Sequence, residues 1–289
     1  MTVSDHLFVW LQHCLPKRLL TALIYRIARI ESPGFKDFLI RHFCRLYAVD
    51  TAEAIVPAGG YRSFNDFFTR ALRPGARVVD TSPRALTSPC DGTVAERGDL
   101  IGSDVTQATL AAKRRTYRLD AFLGDAARAR PYQNGRFATI YLAPYNYHRV
   151  HVPLDGTLVG LQYEPGLLYS VNMTTAALVD ALYVKNERLV CHFESPQGPY
   201  ALVFVGALNV GSVSLTGVGE VLPRADRHAG PLPLPERREY RRGDELGWFN
   251  MGSTVVLVFP AGAIEFTDDF KPGAVVRMGE QIATTAATL

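Results

Sequence analysis

Trp248-Phe249-Asn250-Met251-Gly252-Ser253-Thr254-Val255-Val256-Leu257-Val258-Phe259-Pro260 sets a Gly-Ser-Thr turn between an aromatic pair and an unbroken apolar run. The run over residues 255–259, closed by Pro260, has the pattern of a short strand buried on both faces. Ser253 therefore lies where a tight turn enters a core strand. Glycine ahead of it can adopt backbone angles closed to other residues, which lets a hydroxyl approach the preceding carbonyl. We read the peptide bond between Gly252 and Ser253 as one the chain breaks itself, leaving Ser253 as the source of a covalent cofactor. Taken alone, the tripeptide reads as an ordinary turn feeding a strand, and the cleavage reading depends on the other motifs.

Working outward from this strand, β-branched and aromatic runs separated by Gly, Pro, Asp and Asn fill the chain from about residue 77 to the end. The runs at 136–142, 158–163, 189–194, 200–205 and 211–216 predict strands, and 174–183 predicts a helix. Residues 223–242 hold four prolines and six arginines and read as a mobile basic loop. Towards the N-terminus the periodicity changes. Residues 7–30 repeat apolar side chains at helical spacing, with a break expected near Pro16, and a second helical pattern follows Pro33. Residues 61–73 read as a capped helix starting near Ser63, with Phe64, Phe67 and Phe68 on its buried side. The fold class is α+β: a helical, membrane-facing region over residues 1–75 and a β-rich catalytic domain over residues 76–289.

The bulk composition agrees with a globular chain, at 289 residues with 47% hydrophobic and 20% charged side chains. A net charge of +3 is too small to indicate a nucleic-acid partner. Residues 1–50 carry seven Lys/Arg against four Asp/Glu, which suits an anionic membrane surface, although two helices that simply cap the main domain would look the same. No stretch of ~18 apolar residues is present, so any membrane contact is expected to be peripheral. Asp5 precedes the first basic residue, Lys17, the reverse of the charge order of a secretory signal. Cys14, Cys44, Cys90 and Cys191 show no metal-ligand or CxxC spacing and read as free thiols.

Two further stretches bear on chemistry. Ser88-Pro89-Cys90-Asp91-Gly92-Thr93-Val94 puts an acid in a turn ahead of a strand, and Tyr145-Asn146-Tyr147-His148-Arg149-Val150-His151-Val152-Pro153 holds two histidines three apart in a segment flanked by prolines. A His-x-x-His pair can bind metal, but a zinc site needs further ligands, and the remaining histidines form no cluster with it. Acid/base work beside the Asp-bearing and Gly-Ser turns fits better. A serine hydrolase acting on an external ester could use the same residue types. A lipoyl- or biotinyl-type carrier hairpin is a further reading of residues 271–280.

Ser-Pro-x-Asp-Gly, then Tyr-His-Arg-Val-His-x-Pro, then Gly-Ser-Thr, in this order and at these distances, resembles the pyruvoyl-dependent phosphatidylserine decarboxylases of bacteria. Tyr61 to Leu72, Leu168-Tyr169-Ser170-Val171-Asn172 and Asn186-Glu187-Arg188 extend the likeness over nearly the whole chain. Met251 stands where bacterial members commonly have Leu, a volume-conserving exchange.

The resemblance implies an Asp91-His151-Ser253 triad for self-cleavage between Gly252 and Ser253. The products are a large chain of residues 1–252 and a small chain of residues 253–289 that begins with a pyruvoyl group made from Ser253. It implies decarboxylation of phosphatidylserine through a Schiff base to that pyruvoyl cofactor, with His148 as the acid that protonates the product, and no metal. Expected partners are phosphatidylserine, an anionic membrane surface, the two chains of one precursor and a second copy in a homodimer. The expected location is the cytoplasmic face of the cell membrane.

Overall fold

Thr254–Phe259 is the middle strand of the largest sheet because its six residues, all buried, give two apolar faces and a β-branched backbone that both neighbours can pair with. In this computed structural model it lies antiparallel between Arg136–Tyr141 and Tyr200–Val205. The structure describes residues 3–101, 104–108, 114–171, 173–210, 212–222, 228–252 and 254–286; Ser253 and Asn172 lie outside them. The sheet continues through Arg188–Glu194 and Gly156–Glu164 on one side and through Gly92–Ile101 on the other.

A second, four-stranded sheet runs Gly219–Val221, Val213–Leu215, Glu245–Phe249, Arg149–His151. A third joins Ala85–Thr87, Gln281–Thr285 and Ile264–Phe266. The chain leaves the four-stranded sheet at Phe249 and enters the large sheet at Thr254, so residues 250–252 lie on the way from one sheet to the other.

Three helices precede this body: α1 (Val3–Cys14), α2 (Lys17–Ala28) and α3 (Pro33–Tyr47), with the expected break falling at Pro16. Of α2 only Thr21 and Ala28 are buried, and of α3 none, whereas Trp10, Leu11, Leu19, Leu23, Phe38 and Leu46 are exposed. Polar side chains tie the helices down. Gln12 reaches Thr175 at 3.1 Å and accepts the Ser170 N–H at 2.9 Å, and Thr21 accepts the Asn209 N–H at 3.3 Å. Among the described residues no helix is long and apolar enough to cross a membrane.

Three expectations need correction. The helix expected over 61–73 is only α4 (Phe64–Phe68), capped by Ser63 as anticipated through the Asp66 N–H at 3.2 Å. It stops because the following residues turn extended and pair back: Ile55 N–H bonds the Ala71 carbonyl at 2.9 Å and Arg73 N–H the Glu53 carbonyl at 2.8 Å, while Pro74 disfavours helix at Arg73. The helix expected over 174–183 is two short ones, Met173–Leu178 and Leu182–Lys185, parted by Ala181 at φ +51°. Within the supposed loop 223–242, Gly230–Leu232 and Arg238–Tyr240 are strands on the edge of Gly156–Glu164. An edge needs only backbone partners, and Pro231 is tolerated there.

Candidate active site

His148 reaches Gly252 because of strand pairing. Arg149–His151 runs antiparallel to Glu245–Phe249, and the Phe249 N–H bonds the His148 carbonyl at 3.1 Å, so the imidazole falls beside residues 250–252. A Cβ on Gly252 would stand 2.3 Å from His148 Nε2, closer than real atoms approach. The absence of a side chain at 252 is what admits the ring. His148 is 0% exposed, covered by the Phe68 ring at a centroid distance of 4.1 Å, and neither ring nitrogen has a hydrogen-bond partner of normal geometry. Burial, then the nearby Arg70 guanidinium, push its pKa down to about 3, opposed by the Asn146 backbone. The ring is therefore neutral at pH 7, with a lone pair free to take a proton.

His151, also buried, is fixed differently. Nδ1 bonds the Gly243 carbonyl at 2.8 Å, and since a carbonyl only accepts, Nδ1 carries the hydrogen. Nε2 is then the acceptor, filled by the Tyr147 hydroxyl at 3.0 Å. Burial lowers the His151 pKa, opposed first by the Gly243 bond. The His151 N–H bonds the Pro89 carbonyl at 2.7 Å, which brings the Asp91 turn alongside.

Asp91 nevertheless makes no hydrogen bond to His151, and the direct contact expected of an Asp-His pair is absent here. Both carboxylate oxygens are taken by Arg77, Nε to Oδ1 at 2.8 Å and Nη2 to Oδ2, and Oδ1 also accepts the Met278 N–H at 2.9 Å. Arg77 bonds Glu53 as well, at 2.8 Å. These bonds, above all those to Asp91, raise the Arg77 pKa against the opposing effect of burial. Asp91 acts on His151 through its field, favouring the charged imidazole.

Asn250, two residues before Gly252, is clamped from all sides. Its amide nitrogen lies 2.7 Å from Ser212 Oγ, 2.9 Å from Ser214 Oγ and 3.1 Å from Glu220, and its N–H bonds the Ser212 carbonyl at 3.0 Å. Asn65 of α4 donates to its carbonyl. On the far side of the bond, Thr254 Oγ1 is buried without a partner, and so are Nε and Nη1 of Arg70. Unsatisfied buried groups are uncommon, and Arg70 lies near enough to His148 to lower its pKa, so the unpartnered atoms of these two mark a candidate site.

A cleft of about 440 Å³ opens at Met251 and Gly252, with Phe43, Phe68, Leu142, Val171 and Asn209 in its wall. Asn65, Arg70, Arg77, Tyr147 and Asn250 went unassigned in the sequence. The quoted motifs carry Asn65, Arg70, Tyr147 and Asn250 without giving them a role, and no local spacing pairs Arg77 with Asp91, 14 residues on, or Asn65 with Asn250, 185 residues on. Ser253 has no geometry to report, being outside the described residues. Among the described residues no group of three His, Cys, Asp or Glu side chains could hold a metal ion, and Cys44, Cys90 and Cys191 are free thiols.

With this geometry established, comparison with known proteins is informative. A family model described as phosphatidylserine decarboxylase matches residues 64–284, and one described as PSD matches residues 7–48. The chain is 44% identical over 284 residues to a phosphatidylserine decarboxylase proenzyme of Acidovorax ebreus, covering 97% of this chain and 98% of that one. It is 43% identical over 291 residues to the proenzyme of Polaromonas naphthalenivorans, covering 99% of each chain. To the proenzyme of Hahella chejuensis it is 40% identical over 291 residues, covering 100% of this chain and 97% of that one.

Proposed function

Because the chain belongs to the phosphatidylserine decarboxylase family, we propose that it is a proenzyme that cuts itself between Gly252 and Ser253 and then converts phosphatidylserine to phosphatidylethanolamine and carbon dioxide. The observation that carries this reading is the neutral, unpartnered imidazole of His148 packed on the α-carbon of Gly252. No residue of an ordinary turn needs such a neighbour.

In the cleavage, an imidazole takes the Ser253 hydroxyl proton and the oxygen attacks the Gly252 carbonyl, turning the amide into an ester. His151 suits the base once the Tyr147 hydroxyl gives up Nε2, the acceptor nitrogen in the tautomer that Gly243 holds. Asp91 supports the resulting imidazolium through its charge, held in place by Arg77. Abstraction of the Ser253 α-proton expels the Gly252 carboxylate and leaves a dehydroalanine. Water then releases ammonia and leaves a pyruvoyl group at the head of residues 253–289.

The unpartnered atoms of His148, packed on Gly252, and of Thr254 suit a carbonyl-bearing group made from the intervening residue. When formed, that group supplies an electron sink for loss of carbon dioxide from an amine-linked substrate. The chain's own contribution is to bind, dry and protonate. The apolar walls of the cleft at Phe43, Phe68 and Val171 exclude water from a carboxylate about to leave. His148, after taking up a proton in the matured and opened site, delivers it to the product carbon. Exposed Trp10, Leu19, Leu23 and Phe38, with the basic excess of residues 1–50, support peripheral docking of α1–α3 on the anionic cytoplasmic face of the membrane. Intact-mass measurement of purified protein tests the whole scheme: two fragments split after residue 252 are expected, and a single full-length chain that never converts overturns it.

A further inference from the structure

Glu220, in the strand Gly219–Val221, gathers donors from two directions. On one side, Arg29 at the end of α2 reaches it at 2.7 Å and the Tyr25 hydroxyl of α2 at 3.2 Å, with the Arg29 guanidinium lying 3.6 Å over the Tyr25 ring. On the other, the Ser212 hydroxyl and the Asn250 amide, the latter at 3.1 Å, bond the same carboxylate. A carboxylate only accepts, and here Arg29, Ser212 and Asn250 meet at Oε1 while the Tyr25 hydroxyl meets Oε2. An isolated surface ion pair holds little energy, and Arg29 and Glu220 are 26% and 31% exposed. This pair differs in where it leads, because Asn250 is buried, joined at its N–H to Ser212 and at its carbonyl to Asn65, and followed two residues later by the scissile glycine.

We infer that Glu220 is a positioning residue through which α2 sets the 250–252 segment for attack at Gly252, giving the N-terminal helices a part in maturation apart from any contact with lipid. The inference rests on the self-cleavage reading above. Asn250 is held by Ser212 and Ser214 within its own sheet, by Asn65 from α4, and by Glu220, which ties it to α2, so losing Glu220 loosens the segment that carries the Gly252 carbonyl. A displacement of about 1 Å at a reacting centre costs up to ~100-fold in rate.

The test is the rate at which newly translated full-length protein converts to two fragments on a denaturing gel, with no membrane added. Arg29→Ala and Glu220→Ala are each expected to lengthen the half-time about 10-fold, and the double variant no more than the slower single one. Arg29→Lys, which keeps the charge, is expected to recover most of the rate. Thermal stability, measured for each in a Ser253→Ala background, is expected to stay within a few degrees of the parent. Wild-type conversion by Arg29→Ala, additive slowing in the double variant, or a slowing that follows lost stability and is not recovered by lysine overturns the inference. If the wild type yields no fragments, the self-cleavage reading fails instead, and flotation of Arg29→Ala with vesicles reports on lipid docking separately.

Discussion

The imidazole of His148 and the α-carbon of Gly252 are in contact, with room for no atom between them: a Cβ at 252 would meet Nε2 at 2.3 Å. The glycine is thus required by its neighbour, and its φ lies outside the left-handed region, so the turn itself does not demand it. Gly252→Ala is expected to remain a single chain on a denaturing gel and to lose roughly 1–3 kcal/mol of stability, the usual cost of forcing an atom into a packed interior. Gly252→Ala/His148→Ala should recover both stability and cleavage, because the clash is gone and His151 is the base. Normal maturation of the single variant counts against the contact.

The two histidines should separate by reaction. His151, fixed in tautomer by Gly243, is assigned to cleavage, so His151→Ala is expected to stay uncleaved. His148→Ala is expected to yield both fragments and a carbonyl that reacts with hydrazine, yet to decarboxylate about 100-fold more slowly. Failure of a stable His148→Ala to cleave would transfer the role of base to His148.

Asp91 and Arg77 bury their charges together, at 6% and 7% exposure, so removing either strands the other. Asp91→Asn and Arg77→Met are each expected to cost about 3–5 kcal/mol in chemical denaturation of the Ser253→Ala precursor. The double variant should cost less than the sum of the two. A full loss of cleavage in Asp91→Asn alone, with Arg77→Met normal, would instead favour a direct Asp91-His151 bond that forms only in the reacting state.

These relationships differ in how far they are legible in the sequence. Thr254–Phe259 is, because a buried central strand must be apolar at every position, and so is the Ser63 cap of α4, which needs only its own N-terminal turn. The pairing of Asp91 with Arg77 is not, since an acid in a Pro-Gly turn looks the same whichever partner the fold delivers. Gly230–Leu232 and Arg238–Tyr240 are hidden for another reason: edge pairing uses the backbone, while their prolines and arginines read as loop. The break at Ala181 rests on a left-handed alanine, which no local pattern announces.

Docking of α1–α3 on lipid is tested by flotation with anionic vesicles. Trp10→Ser/Leu19→Ser/Phe38→Ser replaces three exposed apolar side chains and is expected to abolish flotation while leaving the fold intact. Wild-type flotation should weaken as salt rises, because surface attraction is screened over about 8–10 Å near physiological ionic strength. Undiminished flotation of the triple variant would remove these helices from the membrane contact.

His148 also gives the uncleaved chain a distinctive pH dependence. Its pKa is about 3 in the fold, below the ordinary histidine value of 6.5 that applies to the unfolded chain. Between these limits the unfolded state binds the extra proton, so the contribution of His148 is complete above pH 6.5 and is lost as pH falls towards 3. His192, pushed down to about 4 by burial, acts in the same direction and is common to all variants compared. Unfolding free energies of Ser253→Ala should therefore fall more steeply with acid than those of Ser253→Ala/His148→Gln. The two slopes should differ by about 1.4 kcal/mol per pH unit between pH 6 and pH 4. Parallel curves would mean that His148 takes up its proton in the folded precursor as readily as in the unfolded chain, so that burial does not hold its ring neutral in acid.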